Sequence, residues 1–302
     1  MIYIKMKNKI ATPSETKKIL REHNLNLKKS LGQNFLVDSN IINIITAAAE
    51  LNGDEFVIEI GPGIGSLTQS VLEKLDSGKL LAVEKDSKMV EVLNTIFASD
   101  DKLTVLNEDA LEIDWKKIIK KYNSENREIK LLANLPYYVT TPIIMGVIES
   151  DINLEQMVFM VQKEVGERIC AGPGTKKFGS LSVAVQYHMR PEVVHQVPAS
   201  VFIPQPDVDS VIVSLSPYEE NPYQKEVENS EFFFQLVKSI FQQRRKTLRN
   251  SLSKSAVINL DRDLVTEALE AEGIGLKKRG EKLSIAEMIS ISNRIYRMRN
   301  EN

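Results

Sequence analysis

Cysteine is almost missing from this 302-residue chain. Cys170 stands alone, which excludes an internal disulfide and any thiolate metal cluster and points to a reducing compartment. Histidine is nearly as scarce. His23, His188 and His195 show no metal-ligand spacing, so no metal is expected. No apolar run reaches the roughly 20 residues that cross a bilayer. The stretch Met1 to Ile10 carries Lys5, Lys7 and Lys9 around no long apolar centre, so neither a membrane span nor a secretory signal is expected and a cytoplasmic location is. Internal repeats and low-complexity tracts are also lacking.

What is present is an ordinary globular composition, 42% hydrophobic with a formal net charge of −2, long enough for one large domain and a smaller one. The near-neutral total conceals an asymmetry. Residues 232–302 hold 14 Lys and Arg against 8 Asp and Glu, a surplus of +6, whereas residues 1–231 hold 25 against 33, or −8. A basic C-terminal portion on a mildly acidic body suits a polyanion contact; a solvated charged helix face is the alternative.

Strand and helix patterns alternate through the first half. Strands are expected at Phe56–Ile60, Lys79–Val83, Leu103–Leu106, Ile129–Ala133 and Met157–Val161. Between them lie helical patterns at Ser66–Leu75, at Asp86–Phe97 with Met89, Val90, Leu93 and Ile96 on one face, at roughly 112–122, and after Pro142. Such alternation predicts a doubly wound, mostly parallel sheet. After the loop at Gly172-Pro173-Gly174 the pattern gives a helix over Leu181–Met189 and two strands, Val193–Val197 and Val208–Leu215, closing the sheet antiparallel. Ser216–Tyr223 reads as a linker. From about 229 the chain reads helical, with breaks near 256–260 and 273–280. The expected division is an N-terminal extension and helix over 1–27, a sheet domain over 28–217 and a smaller all-α domain over 218–302.

Two motifs carry chemistry. The first is Glu59-x-Gly61-x-Gly63-x-Gly65 between the first strand and its helix. A dinucleotide turn would need its third glycine at position 66, where Ser66 stands, so a nicotinamide dehydrogenase is disfavoured. The closer glycine spacing is typical of S-adenosylmethionine sites. Glu84 ends the second strand, 23 residues after Gly61, placed to accept from ribose hydroxyls; Asp109 follows the third strand and suits the cofactor's adenine amino group. All lie at carboxyl ends of adjacent strands, where open α/β sheets bind ligands. Taken singly, Glu84 reads equally well as a solvated acid.

The second motif is Asn134-Leu135-Pro136-Tyr137, 73 positions after Gly61 at the end of a short apolar run. The amino nitrogen of adenine is a poor nucleophile because its lone pair is delocalised into the ring. The Asn134 side-chain oxygen and the Leu135 carbonyl are two acceptors for its N–H bonds, and Pro136 stiffens the turn. Gripping both bonds favours a pyramidal nitrogen as charge develops. Tyr137 offers a flat face for an unpaired base. A plain strand-to-helix turn is the bland alternative. Transfer from a sulfonium needs no metal or strong base, because proximity and in-line alignment supply about 7–11 kcal/mol.

In this order the motifs resemble those of the small-subunit ribosomal RNA adenine dimethyltransferases, the KsgA family, nearly end to end. Besides the two above, the resemblance rests on 28–36 (Lys-Lys-Ser-Leu-Gly-Gln-Asn-Phe-Leu), Phe202–Ser210 (Phe-Ile-Pro-Gln-Pro-Asp-Val-Asp-Ser) and Phe241–Leu248 (Phe-Gln-Gln-Arg-Arg-Lys-Thr-Leu). It implies a Rossmann-like methyltransferase sheet and S-adenosylmethionine contacts at Asn34, Leu36, Gly61, Gly63, Glu84, Asp109 and Asn134. It implies double N6 methylation of two adjacent adenosines in the 3′-terminal hairpin of 16S rRNA within the small ribosomal subunit. Phe202 is the candidate for the second face of the base stack, or else a core aromatic. The C-terminal helices become an RNA-docking module in which Arg244, Arg245, Lys246 and Arg249 line one helix and meet phosphates, or pair with internal acids. A monomer is expected. Met6–Pro13 resembles the family's usual beginning, and no role attaches to Met1–Lys5. Two rivals stay open: a large-subunit rRNA dimethyltransferase of the antibiotic-resistance type, against which Leu135 and the Phe241 signature argue, and a non-catalytic RNA-binding assembly or transcription factor of the same fold.

Overall fold

The computed structural model of the chain describes residues 8–25, 33–135 and 139–300. In chain order the elements are α1 (Pro13–Glu22), β1 (Phe35–Leu36), α2 (Ser39–Ala48), β2 (Phe56–Ile60), α3 (Ser66–Lys74), β3 (Lys79–Glu84), α4 (Ser87–Ile96), β4 (Leu103–Asn107), α5 (Trp115–Tyr122), β5 (Ile129–Asn134), α6 (Thr140–Ile148), β6 (Leu154–Gln162), α7 (Lys163–Ile169), α8 (Ser180–His188), β7 (Arg190–Val197), β8 (Phe202–Ile203), β9 (Ser210–Ser216), α9 (Ser230–Gln242), α10 (Leu248–Ser253), α11 (Arg262–Ala271) and α12 (Ile285–Asn300). Among the described residues no helix is long and apolar enough to cross a membrane.

Seven strands form one sheet in the order β4-β3-β2-β5-β6-β9-β7, and β1 pairs with β8 in a separate two-stranded ribbon. Strand β2 lies parallel to β3 on one side and β5 on the other, with Ile60 opposite both Val83 and Ala133. β6 extends the parallel set, and β9 runs antiparallel to it. The central strands read as nearly unbroken apolar runs because both their faces are covered: every residue of β2 is buried, whereas β4 at the edge is half exposed. The chain leaves β2 towards β3 and β4, then returns to the far side of β2 as β5. That reversal opens a crevice at the carboxyl ends of β2 and β5.

Local signals account for the helix boundaries. Asp114 caps α5 by accepting from the Lys117 N–H, so that helix begins at Trp115, later than the pattern near 112 suggested. Asp86 likewise caps α4, whose buried positions are Met89, Val92 and Leu93. Val92, not Val90, completes the inward stripe, because positions three and four residues after Met89 stack over it on one face.

Contacts divide the chain into two compact units, 1–166 with 192–216 and 167–191 with 217–302. The sequence-based boundaries place 167–191 with the sheet. In the structure α8 packs within the second unit, where Phe178, Val183 and Tyr187 share a core with Phe233, Leu236, Ile240, Leu269 and Met288. The Tyr187 ring lies 5.4 Å from that of Phe233, and the Tyr218 hydroxyl donates to the Gln186 carbonyl at 2.7 Å. A helical period reveals which face is buried but not which neighbour buries it. The long helical region from 229 is broken once more than expected, at 243–247.

Candidate functional site

A cleft opens at the carboxyl ends of the parallel strands, and its wall belongs wholly to the first unit. Gly61, Gly63, Glu84, Asp109, Asn134 and Leu135 all line it, together with Asn34, Leu36 and Phe202. Residues up to 168 positions apart in sequence thus meet around one cavity.

The glycine turn needs its glycines for two different reasons. Gly65 has φ +89°, and a Cβ there would sit 2.5 Å from the Phe97 ring. Gly63 has φ +57°, and the Phe35 ring approaches to 3.0 Å of where its Cβ would be. Phe35 and Leu36 form β1, antiparallel to Ile203 and Phe202. This short ribbon brings both the 34–36 segment and Phe202 to the cleft. Phe202 is buried and belongs to the sheet core while lining the cavity.

Glu84 has a role beyond the ribose contact expected of it. One carboxylate oxygen accepts from the Gly63 N–H at 3.1 Å and the other from the Asp86 N–H at 2.8 Å, so the acid ties the glycine turn to the end of β3. Burial pushes its carboxyl above the usual range, and these two N–H groups hold it partly down. Asp109 is paired with Lys85 at 2.5 Å, which holds its carboxyl below the usual range. Gln33 donates through its side-chain amide to Asp86 at 3.1 Å.

Asn134 ends β5 opposite Met160, and the Leu135 N–H donates to the Met160 carbonyl at 3.3 Å. The Leu135 side chain is buried, which turns the main chain rather than the side chain into the useful group at this position. Pro136 and Tyr137 lie outside the described residues, as do 28–32 and Met1–Lys5.

The sequence motifs assign no role to two further cleft residues. Glu59 on β2 lines the cavity with 1% of its surface exposed. Ser66 begins α3, and its buried hydroxyl has no hydrogen-bond partner among the described residues. An orphaned hydroxyl at a helix N-terminus, two carboxylates at strand ends and a positive-φ turn form a donor and acceptor set suited to a ligand bearing hydroxyl, amino and carboxylate groups. A sequence clue existed for Glu59: an acid inside a strand whose every other residue is apolar.

The basic residues do not share a helix as expected. α9 stops at Gln242, and Gln243 leaves helical geometry (φ −125°, ψ 63°). Arg244, Arg245 and Lys246 therefore lie in the turn before α10, closed by the Lys246 N–H on the Gln243 carbonyl, and only Arg249 is helical. Arg244 donates to the carbonyls of Lys176 and Phe178 at 2.6 and 2.8 Å, with Glu281 3.6 Å away. It ties this turn to the 176–178 loop of the same unit. Arg245 and Lys246 are exposed.

The sequence profile of the family described as ribosomal RNA adenine dimethylase matches residues 24–297. The ribosomal RNA small subunit methyltransferase A of Halothermothrix orenii is 51% identical over 287 residues, covering 95% of this chain and 94% of that protein. The protein of the same name from Bacillus pumilus is 44% identical over 289 residues, covering 95% and 98%. Among solved structures, a dimethyladenosine transferase from Plasmodium falciparum matches with a TM-score of 0.70 at 25% identity, over 84% of this chain and 94% of the other. The 23S rRNA methyltransferase ErmE matches in fold, with a TM-score of 0.64 at 22% identity over 87% and 99%.

Proposed function

The chain belongs to the ribosomal RNA adenine dimethylase family, and we propose that its cleft brings S-adenosylmethionine against N6 of adenosines in small-subunit ribosomal RNA. When bound, the cofactor supplies an electrophilic methyl carbon on its sulfonium. Everything else falls to the protein's own groups. Glu84 and Asp109 accept from the ribose hydroxyls and the adenine amino group, and the Gly61–Gly65 turn and the start of α3 face the amino-acid end. The Asn134 amide oxygen and the Leu135 carbonyl accept from the target amino group and hold its lone pair out of conjugation. Tyr137 and Phe202 stack on the base. The target is a pair of adjacent adenosines in the 3′-terminal hairpin, each methylated twice. Arg245, Lys246 and Arg249 meet RNA phosphates, while Arg244 shapes the turn that carries its neighbours.

The observation that carries this reading is the placing of Asn134 on the same cavity as the glycine turn and Glu84, across the reversal between β2 and β5. The proteins of 42–51% identity described as small-subunit methyltransferases favour the small subunit over the large. The test is methylation of undermethylated small subunits and of large subunits with labelled cofactor, followed by mapping of modified bases. Label confined to N6 of two neighbouring small-subunit adenosines is expected. Exclusive labelling of the large subunit would overturn the proposal, and cofactor-independent binding with no label would favour an assembly factor.

A further inference from the structure

Glu59 lines the cleft, and the proposed reaction leaves its chemistry unused. It sits mid-sheet, four residues into β2 and two before Gly61. Its neighbours across the ladder are Ala82 and Leu132, both fully buried. The Thr68 hydroxyl donates to one carboxylate oxygen at 2.7 Å. Among the described residues no lysine or arginine forms an ion pair with it. The charged groups on the surrounding elements offer it no relief. On β3, Glu84 carries the same sign and adds to the strain. The neighbouring Lys85 is engaged by Asp109. On β5, Lys130 is opposite Val57 towards the other end of the strand and pairs with Glu55. On α3, Thr68 and Ser66 are uncharged, and the α2 residues lining the cleft, Ile42 and Ile45, are apolar.

A carboxylate removed from water with only the Thr68 hydroxyl and N–H and, among the described residues, no cation is costly enough that the group keeps its proton. Evolution of a strand interior has an inexpensive alternative in valine or isoleucine, so the acid calls for a ligand-dependent reason. Resting on the proposed use of a sulfonium cofactor, we infer that Glu59 is a proton reservoir that turns into the cofactor's counter-charge: its carboxyl is neutral without ligand and yields its proton to solvent when the cationic amino-acid and sulfonium end enters the cleft beside it. The direction of its titration agrees. Burial pushes the carboxyl up to about 8, nearby Glu84 adds to this, and the Thr68 hydroxyl and N–H oppose it. The device lets the empty protein avoid a buried unpaired charge and still present a negative group to a positive ligand.

Calorimetric titration of the full-length protein with S-adenosylmethionine tests this, run near pH 7 in buffers of different ionisation enthalpy. The wild type should release close to one proton per cofactor bound, and Kd should tighten as pH rises towards 8, by up to about tenfold per unit, then level off. Glu59→Gln, which keeps the shape and can still accept from Thr68, should lose most of the release and most of the pH dependence. Binding by the wild type without proton release, or an undiminished release in Glu59→Gln, would overturn the inference. The wild-type measurement stands even where the variant folds poorly. Failure to bind S-adenosylmethionine at all would instead count against the proposed function.

Discussion

Strand β2 has a buried acid at each end, and the two live in opposite circumstances. Glu55, immediately before the strand, accepts from the Asn52 and Gly53 N–H groups at 2.5 and 2.9 Å and lies 3.4 Å from the Lys130 ammonium. Burial pushes its carboxyl up, but the N–H groups and Lys130 outweigh that and bring it below the usual range. Glu59, near the other end, has a hydroxyl and a like-charged neighbour, and is pushed up to about 8. At one end of the strand, the closed one, the acid is fully partnered. At the carboxyl end, among the described residues, Glu59 has no cation beside it, as suits a group that awaits a ligand. Lys130 belongs to the closed end, its ammonium also donating to the Glu50 carbonyl at 2.8 Å.

The two ends separate most clearly when the closed one is opened. Lys130→Ala leaves Glu55 buried without its cation, and unfolding in urea should show a loss of about 3–5 kcal/mol. Cofactor affinity of the folded protein should barely change, because Lys130 is not in the cleft wall. A large loss of affinity with little loss of stability would mean that the two ends are not separate in role.

The reverse pattern is expected at the open end. Asn134→Ala should lower kcat for methyl transfer by about 10²–10³, the effect of removing one transition-state partner, while Tm moves little and small subunits still bind. Normal turnover by this variant would remove Asn134 from the chemistry. Glu84→Gln keeps the side chain's shape but loses its charge, and Kd for S-adenosylmethionine should weaken by about tenfold, roughly the 1.4 kcal/mol expected of a charge-assisted hydrogen bond. An unchanged Kd would leave Glu84 with only its structural tie to Gly63.

The difference between the two ends also explains what could be read from sequence. The apolar runs at 56–60, 79–83 and 129–133 announced themselves because strands buried on both faces leave no room for polar alternation. Gly61, Gly63, Glu84, Asp109 and Asn134 were legible as an ordered set, since each follows a strand, and strand ends in such a sheet converge. What stayed hidden depended on contacts between distant segments. Nothing near Phe35 signals that its ring rests on Gly63, nor does the 181–189 period signal that α8 joins Phe233 and Leu236. The turn at 243–247 was hidden for another reason: Gln, Arg and Lys are good helix formers, and tertiary contacts such as Arg244 on the 176–178 carbonyls override that preference.

Glu59 also distinguishes the two ends without any ligand. The folded protein keeps the Glu59 proton up to about pH 8, whereas the unfolded chain releases it near 4.5. Between those values the native state binds more protons than the unfolded one, so on this account stability falls as pH rises through the window. Below 4.5 both states are protonated and the contribution vanishes. Glu59→Gln has no such proton to hold, and the other titrating groups, Glu84 included, remain in both proteins and largely cancel. Its stability relative to wild type should therefore climb steadily between pH 5 and pH 8 in urea unfolding. For Glu55→Gln the sign reverses, since a carboxyl held low stabilises the fold above its unfolded value, and that variant should be the less stable protein across the same range. A difference between Glu59→Gln and wild type that stays flat with pH would show the acid ionised in the folded state, its charge met by something other than Thr68.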